Sequence, residues 1–375
     1  MKNNDLRTLE LEENDLFFED ECDQQPPSDI VAYNELRSCA DLFRMYDKGI
    51  LNISPDFQRD SVWNPAAQTR FIDSLIKQLP IPSMCFSLDF KTQKWQVIDG
   101  LQRMNAIIRF LNDKSWRLSD LADIDKRLAG KKVSYFKDED SVDHILYQRL
   151  ENLTLPITVL RCDHSKKSHM EYLFTIFHRL NTGGTKLNNQ EIRNCIFSGE
   201  LNALLKDLNE NKHWRLINRL KENEDRDFRF RHVEMILRHF AFNDDLSEDN
   251  KLKTYKGVLS KFLNEYMRIN RNPSDEFISI KREKFTRTVK LISEKIIQDD
   301  ERISTSTLEA LLAGVSQNIN SLEKLSSDRL KHLFTTLKLD KSLSTEYLNE
   351  GVAKKDKVEA RILASISIFS NYGDL

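Results

Sequence analysis

Three short stretches hold most of the residues whose types and spacing suit work on a phosphate. In Val97-Ile98-Asp99-Gly100-Leu101-Gln102-Arg103 a strand-like apolar run enters a tight turn and then a helix. Unpaired backbone N–H groups at a helix start attract anions, and Gly100 lets the backbone approach a ligand closely. Asp99 is expected at the N-cap, which Asp favours on structural grounds alone. An Arg at the positive end of a helix dipole is unfavourable unless it has a partner, so Arg103 asks for an anion. Pro55-Asp56-Phe57-Gln58-Arg59, with Val62-Trp63, places a planar guanidinium beside an amide and aromatic rings. Arg59 is either a phosphate ligand or a surface ion-pair partner, and Trp63 either a stacking platform or a core anchor.

The third stretch is Asn181-Thr182-Gly183-Gly184-Thr185, followed by Asn189-Gln190-Glu191-Ile192-Arg193. Paired glycines after a helix can form a backbone concavity for an anion, or Gly183 is simply a C-cap. Asp99 and Glu191 are the two carboxylates that could hold a Mg²⁺ ion bridging phosphates; the alternative is that both are caps or ion-pair partners. Away from these stretches, Lys281, Arg282, Lys284 and Arg287 share a helix whose apolar face is Phe285, Val289 and Ile292. That stripe either follows a DNA backbone or is a solvated helix face.

Other chemistries lack their signatures. There is no GxxxxGK[ST] phosphate loop, no CxxC pair, no HxxxH and no His-Asn-His cluster. The five cysteines are expected to be free thiols. The formal net charge is −2, so any nucleic-acid contact must rest on a local patch. No apolar run has the length of a membrane span, and Met1 is followed by a polar, acidic stretch, so a cytoplasmic chain with no membrane partner is expected.

Positioning elements follow from periodicity. Helices are expected over Leu36–Tyr46, Ala66–Leu79, from Gly100 to about Leu111, Lys166–Leu180 and Asn189–Phe197. Strands are expected over Met84–Leu88, Trp95–Ile98 and Leu153–Leu160, the last broken by Pro156. Beyond Gly199 helical spacing dominates, as in Val233, Ile236, Leu237 and Phe240. For a chain of 375 residues two domains are the prior. The expectation is an acidic flexible arm at 1–28, a mixed α/β domain at 29–199 and a helical domain at 200–375.

In this order the stretches resemble a known family, the N-terminal domain of GmrS/GmrD-type modification-dependent restriction enzymes, within the ParB/sulfiredoxin-like superfamily. The resemblance rests on Phe57-Gln58-Arg59 with Val62-Trp63, Leu79-Pro80-Ile81-Pro82, Ile98 to Arg103, Leu180 to Thr185, and Asn189-Gln190-Glu191-Ile192-Arg193. Glu234 to Ala241 and Phe262 to Met267 are also similar. It implies an α+β chain: a small ParB/sulfiredoxin-like mixed α/β domain followed by an all-helical one. It implies nucleoside triphosphate binding with Mg²⁺, and hydrolysis, with Asp99, Gln102 and Arg103 as catalytic residues. Nucleotide contacts would come from Gln58, Arg59, Gly100, Asn181, Thr182, Gly183, Gly184, Thr185, Asn189, Glu191 and Arg193. The family's Asp-Gly-Gln-Gln-Arg reads here with Leu101 at its first Gln, which bears on turnover. No counterpart of the larger relatives' His-Asn-His nuclease domain is visible. The expected function is thus a DNA-sensing, nucleotide-gated subunit of a restriction or antiphage system, acting with a separate nuclease or effector and open to homo-oligomer formation. The alternative is a non-enzymatic, ParB-like DNA-binding adaptor.

Overall fold

The computed structural model describes residues 26–53, 63–180, 188–219, 230–249, 251–297, 303–349 and 351–371. The chain divides into two units, one within residues 25–187 and the other within 188–375. The first is mixed α/β and the second is helical.

The first unit is built on a five-stranded sheet of order β1-β5-β3-β4-β2. Its strands are β1 (Val31–Ser38), β2 (Leu51–Asn52), β3 (Met84–Asp89), β4 (Lys94–Asp99) and β5 (Thr154–Cys162). β1 runs antiparallel to β5, β5 parallel to β3, β3 antiparallel to β4, and β4 parallel to β2. One sheet face carries Phe86, Leu88, Trp95, Val97, Leu155, Ile157 and Val159 into the main core. Helices α1 (Cys39–Asp47), α2 (Pro65–Ile76), α3 (Leu101–Asn112), α4 (Val133–Lys137) and α5 (His144–Asn152) complete that core with residues such as Leu42, Ile72, Ile107, Phe136 and Leu150. α6 (Lys167–Leu180) packs against β4 and buries Met170, Leu173, Phe174 and Phe177.

Two features depart from the sequence reading. Val31–Ser38 is an edge strand where the apolar spacing from Leu36 suggested helix; the helix begins at Cys39, after Ser38 caps it by accepting from the Asp41 N–H at 3.1 Å. β5 is continuous through Pro156, which stands opposite Leu36 on edge strand β1. The turn ahead of β1 is tied to the far end of β5. His169 on α6 accepts at Nδ1 from the Asp163 N–H, which leaves Nε2 to donate to Asp29 at 2.8 Å. Hydrogen bonds from Lys166 and then His169 hold the Asp29 carboxyl well below the usual range, at about 2.

Gly100 joins β4 to α3. Its φ is +94°, in the left-handed region that L side chains avoid. A β-carbon there would also stand 2.5 Å from Cγ of Met84, itself fully buried. Gly100, not Asp99, is the N-cap of α3, and no side chain caps that helix.

The helical unit comprises α7 (Asn189–Ile196), α8 (Glu200–Asn209), α9 (Lys212–Asn218), α10 (Arg231–Asp245), α11 (Leu259–Ile269), α12 (Asp275–Leu291) with a π turn to Ile296, α13 (Thr305–Gln317), α14 (Ile319–Leu322), α15 (Ser327–Lys338), α16 (Thr345–Leu348) and α17 (Lys355–Ser370). α13 and α17 meet closely where Gly314 lies against Ser365. A chain of buried charge crosses this unit. Arg193 of α7 pairs with Glu234 of α10 at 2.9 Å, and Glu234 with Arg238 at 2.8 Å. Arg238 reaches Glu309 of α13 at 3.6 Å, and Glu309 pairs with Arg361 of α17 at 2.6 Å. Burial alone would raise the Glu234 carboxyl, but Arg238 and Arg193 outweigh it and hold it at about 2. Cys39, Cys85, Cys162 and Cys195 are free and buried. Among the described residues no helix is long and apolar enough to cross a membrane.

Two stability predictions follow from these contacts. Gly100→Ala must place a methyl group against Met84 in a left-handed backbone, and about 2 kcal/mol of stability is expected to be lost in urea unfolding. Glu234 is depressed from an ordinary 4.5, so its contribution is complete above 4.5 and is lost as the pH falls toward 2. Glu234→Gln leaves two guanidinium groups without their shared carboxylate. It is expected to cost about 3 kcal/mol at neutral pH and to flatten the acid limb of the stability profile. An acid limb identical to that of the unsubstituted protein would remove Glu234 from this role.

Candidate functional site

β4 ends at Asp99, Gly100 reverses the backbone, and α3 starts at Leu101. Asp99 and Arg103 stand four residues apart, one helical turn, and meet: Arg103 Nη2 donates to Asp99 Oδ2 at 2.6 Å. The second guanidinium nitrogen donates to the Pro82 carbonyl. That gives the Leu79-Pro80-Ile81-Pro82 stretch a structural task, because it presents the acceptor that fixes the Arg103 fork. Arg103 is 14% exposed at its side chain and Asp99 37%, so the carboxylate faces solvent and the guanidinium lies beneath it.

Gln102 points elsewhere. Its Oε1 accepts the backbone N–H of Trp63 at 3.0 Å, pinning the entry to α2 onto the first turn of α3. Trp63 packs edge-on to Phe71, ring centres 5.3 Å apart, and lies against the main core. Here it acts as an anchor. Leu101 also packs against that core, so the residue that departs from the family pattern is used for packing. The link between Gln102 and Trp63, 39 residues apart, has no local sequence signal.

The expected contacts Gln58, Arg59, Asn181, Thr182, Gly183, Gly184 and Thr185 lie outside the described residues. Asn189, Glu191 and Arg193 belong to the helical unit. Asn189 opens α7 behind the N-cap Asn188. Glu191 closes a capping box, donating nothing and accepting the Asn188 N–H at 2.7 Å while its own N–H bonds Asn188 Oδ1 at 2.9 Å. Arg193 is 1% exposed and binds Asn264, Gln190 and Glu234.

The basic stripe on α12 is largely committed to carboxylates. Lys281 pairs with Asp244, Arg282 with Asp207, and Arg287 with Glu323 at 2.7 Å. Lys281 also lies over the rings of Phe240 and Phe277. Lys284 is half-buried, and burial and then Lys281 lower its pKa.

Among the described residues no group of three or more His, Cys, Asp or Glu side chains converges on a metal position. Asp99 stands as a single solvent-facing carboxylate. Mg²⁺ keeps several waters and is commonly held by one or two carboxylates with the ligand's phosphates, so one carboxylate fits an ion that arrives with its nucleotide.

No curated protein and no solved structure gives a significant match to the chain. A family model does match, that of the GmrSD restriction endonuclease N-terminal domain, over residues 39–198. This stretch contains the Asp99–Arg103 turn, Pro82 and the α7 capping box, and by it the chain belongs to the family of the GmrSD N-terminal domain.

Proposed function

We propose that this chain is the nucleotide-binding, DNA-sensing subunit of a restriction system, and that it binds and hydrolyses a nucleoside triphosphate with Mg²⁺ at the Asp99–Arg103 turn. The observation that carries this is the uncapped start of α3, set directly beside the Asp99–Arg103 pair at the end of β4. A phosphate placed there meets backbone N–H donors, the positive end of a helix dipole and a guanidinium. It competes with Asp99 for Arg103. Arg103 moves its donors to the phosphate, and the freed Asp99 carboxylate turns to the ligand side, where it can hold Mg²⁺ or orient a water. The metal, when bound, neutralises charge on the phosphate oxygens. Gln102 keeps the Trp63 end of the preceding segment against this turn. Nucleotide state would then gate contact with DNA or with a separate nuclease or effector subunit.

A second reading is favoured by Leu101. Its side chain packs into the core instead of offering an amide, which suits an adaptor that binds DNA without turnover. One assay separates the two. Phosphate release is measured from each of the four ribonucleoside triphosphates with Mg²⁺, with and without DNA, for the unsubstituted protein, Arg103→Ala and Asp99→Asn. Turnover is expected, with a drop of about 100-fold or more in both variants, the scale seen when one charge-stabilising donor is removed. Absence of both turnover and calorimetric binding, together with steeply salt-dependent DNA affinity, would favour the adaptor.

A further inference from the structure

The Asp99 end of β4 is the first member of a polar row that crosses the sheet. In register, Asp99 of β4 stands opposite Cys85 of β3, Cys85 opposite Thr158 of β5, and Thr158 opposite Asn34 of β1. Three strand spacings separate the ends of this row, about 14 Å. Cys85 is buried, whereas Thr158 is partly exposed and Asn34 exposed. Burial, and then the charge of Asp99, push the Cys85 thiol up to about 12, so it stays a neutral thiol between Asp99 and the far polar pair.

The side chains at that far end form a directed chain of hydrogen bonds. Thr158 Oγ1 donates to Asn34 Oδ1 at 2.9 Å. Its single proton is thereby used, so the 3.0 Å bond between Ser83 and Thr158 is donated by Ser83. Ser83 directly follows Pro82, whose carbonyl holds Arg103. The polar surface therefore continues from Arg103 through Ser83 and Thr158 to Asn34. At its end the Asn34 carbonyl is occupied and the Asn34 amide presents two N–H donors to solvent. In this arrangement Asn34 donates and does not accept.

We propose that Asn34, oriented by Thr158 and Ser83, is the base-reading end of the nucleotide site. This rests on the nucleotide-binding reading given above. With the phosphates at Asp99–Arg103, the base lies along β3 and β5 toward β1, and its edge meets the Asn34 amide. A donor-only amide pairs with an acceptor edge, the O6 and N7 of guanine or the O4 of uracil. It opposes the exocyclic amino group that adenine or cytosine carries at the equivalent position. Thr158 and Ser83 are positioning residues: they hold the Asn34 oxygen so that its nitrogen faces the ligand.

The test is the ratio of kcat/KM for GTP and UTP to that for ATP and CTP, in the unsubstituted protein, Asn34→Asp and Thr158→Val. Asp is acceptor-only, and Val keeps the β-branched shape that suits a strand. The unsubstituted protein is expected to favour the keto bases by about tenfold, the scale of one good polar contact. Asn34→Asp is expected to reverse the ratio. Thr158→Val is expected to bring it near unity, with kcat at saturating nucleotide unchanged. Equal use of all four nucleotides by the unsubstituted protein, or a ratio unmoved by both variants, overturns the base-reading role and leaves the phosphate site standing. Absence of any nucleotide binding, measured by calorimetry on the unsubstituted protein, overturns both.

Discussion

The α/β unit depends on one position where the chain has no room for a side chain. At Gly100 the backbone must turn with φ at +94° while pressed against buried Met84. Only glycine satisfies both demands. Because the turn is that tight, α3 starts immediately after β4, and Asp99 and Arg103 come to lie one helical turn apart. From the same turn Gln102 reaches Trp63 and Arg103 reaches Pro82, so two segments distant in sequence are located by three consecutive turns of logic: no β-carbon, a short connection, and side chains fixed at the helix start. Removing the side chain at one residue thereby sets the geometry of the polar groups around it.

The helical unit solves a different problem. Its five charges, three guanidinium and two carboxylate groups, alternate in sign along α7, α10, α13 and α17. Desolvating such groups costs much of what their attraction returns, so a well-packed apolar set could give equal stability. What the charges add is selectivity among packings. Arg361 donates both to Glu309 and to the Val352 carbonyl, and Arg193 divides its donors among Glu234, Gln190 and Asn264. A helix rotated or shifted by one turn would leave a charge buried without its partner, which apolar side chains would tolerate.

Much of this was legible in the residue order. Helical spacing located α2, α3, α6 and α7, and the Asp-Gly step marked the strand-to-helix turn. The ordered motifs pointed to the family that the matched segment belongs to. What escaped depends on partners far along the chain. β1 was taken for helix because Leu36 continues the apolar spacing of α1; its pairing with β5, more than 100 residues later, makes it a strand. The α12 cations read as a phosphate-following stripe, since Asp207, Asp244 and Glu323 lie between 36 and 75 residues away. Arg193 looked like a ligand contact for the same reason, its counter-charge Glu234 being 41 residues distant. The Asn34, Thr158 and Ser83 row has no local signature either, as it exists only in the sheet register.

The buried charges also bear on how such proteins can be assembled in evolution. The matched family segment ends at residue 198, two residues past α7, yet α7 packs in the helical unit and Arg193 finds its carboxylate on α10. The border of the conserved segment is therefore not a seam of the fold. A recombination event that joined a foreign C-terminal module at residue 198 would carry α7 away from its counter-charges, and the new module would have to supply an acidic residue at the matching place. Crossovers between residues 180 and 188 leave both halves electrically complete. Diversification of the effector end of this family should thus favour exchange ahead of the capping box, with the Asn-Gln-Glu-Ile-Arg helix travelling as the first element of whatever follows it.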